Sequence, residues 1–158
     1  AVHVVGSAGA LELWLGEAKF YSEIRAAVRD VVAELEMHTE VNYLRDEFLL
    51  IKGKIDPTWP HAKELEGLLA ENKSLDDVFE RACIAVLLTY DSECLRSHST
   101  CDAAYKAAFE AEIWKHHAQF VGKPLPKDVT IHLILLPLNT KERLLAELDS
   151  KLQAWQTI

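Results

Sequence analysis

Glu17 and Lys19 stand two residues apart at the end of an apolar run, Leu11-Glu12-Leu13-Trp14-Leu15-Gly16. A carboxylate can hold Mg²⁺, and a lysine beside it can position a water or help to deprotonate it. Metal-dependent phosphodiester cleavage uses that pairing. The chemistry requires both side chains on one face. Successive side chains of a strand alternate, so a strand over Leu11 to Phe20 puts Leu11, Leu13, Leu15, Glu17 and Lys19 in one row. Gly16 lets a ligand or another backbone approach closely. Glu12 falls on the opposite face by parity and reads as a solvated side chain. Spacing alone leaves a second reading open, a surface salt bridge at a strand end.

The other chemistry-bearing residues are less ordered. Cys94, His98, Cys101, His116 and His117 contain zinc-ligand types but no tight Cys-x-x-Cys knuckle. A loop with scattered Cys and His is the simpler reading. His3 and His132 lie in strand patterns and read as packed or exposed. Trp14 and Phe20 read as core on the face opposite Glu17. Asp91 follows an apolar strand, where open α/β sheets bind ligands, but Asp91-Ser92 also reads as a turn. The sequence has no Ser-His-Asp arrangement, phosphate-binding Gly-rich loop, His-Glu-x-x-His or dinucleotide fingerprint.

Several elements must position these residues. Val2 to Val5 and Leu11 to Phe20 read as two strands joined at Gly6-Ser7-Ala8-Gly9, a hairpin. Ser22 offers an N-cap for a helix whose apolar face is Ile24, Ala27, Val28, Val31, Val32 and Leu35. A second helix is expected through Val41, Leu44, Phe48 and Ile51. A third is expected from Pro60 to about residue 72, with Pro60 in its first turn. Ala82 to Leu88 and Val129 to Leu136 are continuous apolar runs, the pattern of strands buried on both faces. Between them, residues 91 to 100 read as polar loop and residues 102 to 121 as a long helix. Thr140 can cap a last helix with Leu144, Leu145, Leu148 and Leu152 on one face. The expected order is β-β-α-α-α-β-α-β-α, an α/β fold with a mixed sheet covered by helices.

The composition sets outer limits. A chain of 158 residues reads as one domain, 1–158, able to bury about 70% of its unfolded surface. No apolar run reaches the ~18 residues that suggest a transmembrane helix. The opening Ala1-Val2-His3-Val4-Val5 lacks the basic start of a secretory signal. Three cysteines fit a reducing cytoplasm better than a disulfide framework. The chain does not open on methionine, and it reads as the C-terminal part of a longer protein. A formal net charge of −8 weighs against tight autonomous DNA binding and favours delivery by a partner.

The stretch Leu11 to Tyr21, and above all Gly16-Glu17-Ala18-Lys19-Phe20-Tyr21, resembles the HamA family. HamA is the nuclease subunit of the Hachiman anti-phage defence system, in the PD-(D/E)xK nuclease superfamily. Ala85 to Asp91 and Ile131 to Leu138 are similar to later segments of the same family. The resemblance implies a restriction-endonuclease-like fold, with Glu17 as a Mg²⁺ or Mn²⁺ ligand and Lys19 orienting the attacking water. It implies DNA as substrate and a HamB-like helicase as partner. Glu23 is a candidate supporting contact, although a lone Glu in a first helical turn is ordinarily a surface residue favoured by the helix dipole. The superfamily also carries an acidic ligand on or before the preceding strand. Ala1 to Ala10 contains none. Either that ligand lies upstream or this copy lacks it. In the second case the chain would be a catalytically incomplete nuclease-fold domain that docks another protein.

Overall fold

The computed structural model describes residues 2–7, 10–38, 50–70, 73–74, 77–78, 80–127 and 129–156. Its elements are β1 (Val2–Ser7), β2 (Ala10–Lys19), α1 (Ile24–His38), α2 (Ala62–Leu68), β3 (Ala82–Asp91), α3 (Glu93–Ser97), α4 (Ala103–Val121), β4 (Thr130–Leu138) and α5 (Lys141–Gln156). The result is a mixed α/β chain.

The four strands form one sheet in the order β1-β2-β3-β4. β1 and β2 are an antiparallel hairpin, with Val2 opposite Leu15 and Ser7 opposite Ala10. β2, β3 and β4 run parallel. The contacts of β2 with β3 show the direction. The Leu13 N–H donates to the Arg81 carbonyl at 2.8 Å, and the Tyr21 N–H donates to Thr89 Oγ1 at 2.9 Å, 68 residues on. Arg81 lies the same distance along the chain from Leu13, and a constant offset means strands pointing the same way. Parallel neighbours need crossover segments, and helices stand in both gaps of the sequence.

The chain divides into two compact units. One comprises Ala1–Glu17, Val31–Val86 and Pro124–His132; the other comprises Ala18–Asp30, Leu87–Lys123 and Leu133–Ile158. In the first, Leu11 and Leu13 of β2 are buried with Leu65, Leu68, Leu69 and Val78, and Leu15, Ile51 and Ile55 pack against them. In the second, Leu88, Tyr90, Cys94, His116 and Phe120 are among the buried residues.

The apolar face expected for α1 is buried at all six positions. Elsewhere the structure corrects the sequence reading. Residues 91–100 are not all loop, because Ser92 accepts from the Leu95 N–H at 3.1 Å and starts the short helix α3. Pro60 precedes its helix rather than entering it. Residue 61, a histidine with φ 65°, stands before α2. The Asp56 side chain already shapes the preceding turn, accepting from the Thr58 N–H and hydroxyl. α1 begins at Ile24, with Glu23 rather than Ser22 immediately before it. The Glu23 carbonyl accepts from Ala26 and Ala27, while the Ser22 carbonyl accepts from Asp91. β4 is not buried on both faces. It ends the strand order, and its residues alternate between exposed and half-buried. α5 buries none of its residues. Most of the expected second helix, Val41 to Ile51, lies outside the described residues, and residues 50–52 are helical. Ala8 and Gly9 of the expected turn also lie outside them.

Candidate functional site

β2 carries the residues singled out for chemistry. Leu11 and Leu13 are buried, Leu15, Glu17 and Lys19 half-buried, and Gly16, Ala18 and Phe20 exposed. The alternation puts Glu17 and Lys19 in the row of the buried leucines, as strand parity requires. Glu17 belongs to the first compact unit and Lys19 to the second. The opposite parity is not the expected core. Phe20 is exposed. Trp14 is half-buried, donates to Glu12 at 2.9 Å and stacks on His132 with ring centroids 4.6 Å apart.

The strand end is fastened from two sides. Thr89, buried on β3, accepts from the Tyr21 N–H and donates to the Tyr21 carbonyl at 3.0 Å. Lys141, at the start of α5, donates from Nζ to the Phe20 carbonyl at 2.9 Å. The same ammonium lies 4.8 Å from the centre of the Phe20 ring, within cation–π range. Beside Lys19, the Tyr21 hydroxyl donates to Asp30 at 2.7 Å and Arg29 Nε donates to the same carboxylate at 2.8 Å. These two hydrogen bonds, the Tyr21 bond first, hold Asp30 below the usual carboxylate range, and the Lys19 charge acts in the same direction. The bond to Asp30 in turn raises Tyr21.

Glu23 lines a cavity of about 240 Å³ within the second unit. Asp91 lines the same cavity but is engaged, accepting from the Lys141 N–H at 2.8 Å. It caps α5 together with Thr140, whose hydroxyl accepts from Arg143 at 3.1 Å. Below the rim lies a buried polar group. Glu112 accepts from the Ser92 hydroxyl at 2.5 Å and from the Cys94 N–H at 2.9 Å. Burial pushes the Glu112 carboxyl up, but these hydrogen bonds outweigh it and leave the group below its ordinary range. Tyr90 is pushed up, first by burial and then by the nearby Glu112 charge. His116 packs edge-on against Tyr90 with ring centroids 4.5 Å apart, and burial pushes its imidazole down. Tyr90 Oη, His116 Nδ1 and Gln119 Oε1 are buried with no hydrogen-bond partner among the described residues. Each such atom ordinarily costs about 1–3 kcal/mol.

A family model described as HamA matches residues 1–152. The chain belongs to the HamA family. No curated protein and no solved structure matches it. Membership makes this HamA chain a component of Hachiman anti-phage defence. Among the described residues, no helix is long and apolar enough to cross a membrane.

Among the described residues, no group of three or more His, Cys, Asp or Glu is placed to hold a metal ion. That includes Cys94 and His98, whose Sγ and Nδ1 lie 3.9 Å apart. The described residues of β1 pair with Leu15 and the residues before it, and their sequence, VHVVGS, has no carboxylate to set beside Glu17.

Sequence reasoning missed Asp30, Lys141 and Glu112. Each meets its partner through the fold. Lys141 is 121 residues from Phe20, and Glu112 is 20 residues from Ser92. No local spacing signals either contact. Tyr21 and Asp30, nine residues apart, bridge the strand end and the second turn of α1, a spacing that no motif marks.

Proposed function

We propose that this member of the HamA family is the metal-dependent DNA nuclease of its defence system, acting with a partner helicase from a β2 that carries Glu17 and Lys19. The observation that carries the reading is the parity of β2. The row that is buried at Leu11 and Leu13 becomes half-buried at Glu17 and Lys19. A half-buried carboxylate and ammonium thus continue an apolar row. The hairpin followed by parallel strands is compatible with a restriction-endonuclease-like sheet.

Glu17 offers a hard oxygen donor, which suits Mg²⁺ or Mn²⁺. Mg²⁺ is commonly held by one or two carboxylates, with waters and substrate phosphate completing its shell. When bound, the ion supplies charge neutralisation at the phosphate and acidifies a water. Lys19 contributes what the chain itself can supply. Its ammonium orients the attacking water and offsets charge developing on the phosphorane oxygens. Thr89 and Lys141 hold the backbone of the two residues that follow that lysine, Tyr21 and Phe20, and so fasten the strand end that carries it. The second acidic ligand typical of the superfamily is not in the described residues of β1, and the reading requires it from elsewhere in the complete protein.

A second reading, a nuclease-fold domain that docks a protein and does not cut, draws on α5. Its Leu145, Leu148, Leu152 and Trp155 are all exposed. Plasmid cleavage separates the two. The complete protein, with Mg²⁺ or Mn²⁺ and its helicase, should nick or linearise DNA. Lys19→Ala should lower the rate by at least about a hundredfold, the low end for a lost proton-transfer group, with an unchanged circular-dichroism spectrum. Wild-type cleavage by the variant would remove Lys19 from the mechanism. Absence of cleavage by the complete protein with its helicase would leave the docking reading.

A further inference from the structure

The cavity of the second unit is lined by neither Glu17 nor Lys19 and has a chemistry of its own. It opens beyond the carboxyl end of β3, next to Tyr90 and Asp91, the position where ligands enter open α/β sheets. Three cations from three different helices, Arg25 of α1, Arg96 of α3 and Lys115 of α4, line it. All three are exposed, and the side chain of each lacks an ion pair or hydrogen bond among the described residues. The acids are divided. Asp91 and Glu112 are occupied by hydrogen bonds from the protein. Glu23 and Glu93 remain on the rim. The first turn of α1 contributes as well, and the first N–H groups of a helix have no intrahelical acceptor.

The floor carries the second, independent observation. Tyr90 is 1% exposed and His116 8% exposed, and both line the cavity with Gln119. Each of the three holds a buried polar atom without a close hydrogen bond among the described residues, although Tyr90 faces the Glu112 carboxylate and His116 faces the Gln119 side chain. Native interiors rarely leave such atoms unpaired, and three around one cavity point to a ligand or the waters that hold its place. The ligand must therefore have two ends. One end is anionic and meets Arg25, Arg96 and Lys115. The other has hydroxyl or amino groups, for which the carboxylates of Glu23 and Glu93, His116 Nδ1 and Gln119 Oε1 are acceptors and Tyr90 Oη is a donor. The volume, about 240 Å³, is slightly below the range of pockets for drug-sized ligands. It suits one small molecule and is too small for a dinucleotide.

We propose that this cavity binds a small phosphate ester bearing hydroxyl groups, of the class of a nucleoside monophosphate. Its phosphate lies at Arg25, Arg96 and Lys115, and its sugar or base edge lies toward Tyr90, His116 and Gln119. The same chemistry is presented by a free nucleotide and by the 5′-phosphorylated end of a strand. The proposal does not rest on the nuclease reading, since Glu17 and Lys19 are not part of the cavity lining.

The test is calorimetric titration and thermal shift of the complete protein with each of four kinds of probe. They are the four ribonucleoside monophosphates, the matching nucleosides, inorganic phosphate, and a 5′-phosphorylated single-stranded oligonucleotide. At least one monophosphate should bind at millimolar concentration or below and raise Tm. The matching nucleoside and inorganic phosphate should each bind at least about tenfold more weakly. The double variant Arg96→Ala with Lys115→Ala, both exposed positions, should keep the Tm of the free protein and lose at least about tenfold in affinity. Tighter binding of the oligonucleotide, lost in the same variant, assigns the phosphate to a strand end. No binding of any phosphate-bearing probe overturns the proposal, as does equal binding by the double variant or equal binding of the nucleoside. Each of these readouts is independent of DNA cleavage.

Discussion

α1 and α5 have the same kind of sequence and opposite fates. Both carry aliphatic residues at helical spacing, Ile24 to Leu35 in one and Leu144 to Leu152 in the other. α1 buries its whole stripe, with Leu35 0% exposed, whereas Leu152 of α5 is 58% exposed. The two apolar strands repeat the contrast. β3 lies inside the sheet order and is buried along most of its length, while β4 ends the order and is half open. Periodicity says which face of an element is apolar. It does not say whether the fold supplies something to cover that face. α1 is held by its face and α5 by its end. The first residue of α5 is tied through its N–H to Asp91 and through its side chain to Phe20.

The sharpest way to break this comparison is truncation at matched positions. Leu35→Ala and Leu88→Ala, both at fully buried sites, should each cost about 2–5 kcal/mol. Leu152→Ala and Leu136→Ala, at exposed sites, should stay within about 0.5 kcal/mol. Urea unfolding followed by circular dichroism measures all four. Equal losses in the two sets would mean that α5 and β4 are covered in solution.

The anchoring of α5 is tested next. Asp91→Ala removes the acceptor for the first N–H of α5 and should cost about 0.5–2 kcal/mol, the range for a lost helix cap. Hydrogen exchange should show the increase in the first turn of α5 and not in α1. An effect spread evenly over both helices would show that Asp91 does more than cap.

The smallest effect concerns acid. Burial lowers His116 from its ordinary value of 6.5, and hydrogen bonds leave Glu112 below its ordinary 4.5 despite burial. For both groups the unfolded chain takes up a proton before the folded one does. Stability is therefore fully present above each unfolded value and is lost as pH falls, first through His116 and then through Glu112. Urea midpoints should fall between about pH 7 and 5, and His116→Leu should flatten that part of the curve. A slope unchanged in the variant would remove His116 from the acid response. β4 and α5 lack any such buried titratable group among their described residues, so the loss belongs to the buried side of the comparison.

Much of the fold was legible because it follows from local rules. The hairpin, α1 with all six of its core positions, β3, α4 and the Thr140 cap are written in periodicity and capping residues that act within a turn or two. α3 was missed because Asp91 to Thr100 is polar, and polarity conceals a five-residue helix whose start depends on the Ser92 side chain. Phe20 was misplaced because parity separates two faces without saying which one is covered. Of the candidate site, the common row of Glu17 and Lys19 was readable, since strand geometry alone sets it.

The sequence by itself determined the family, the alternation that puts Glu17 and Lys19 on one row of β2, and the apolar stripes of α1 and α5. These depend on residue order and on the fixed periods of strand and helix. Only the tertiary structure decided that β4 and α5 stay half open, that Lys141 fastens the backbone next to Lys19, and that Arg25, Arg96 and Lys115 surround one cavity over Tyr90 and His116. Those outcomes require residues tens of positions apart to meet. Such meetings are set by which surfaces the packed chain brings together, a property that no single segment carries.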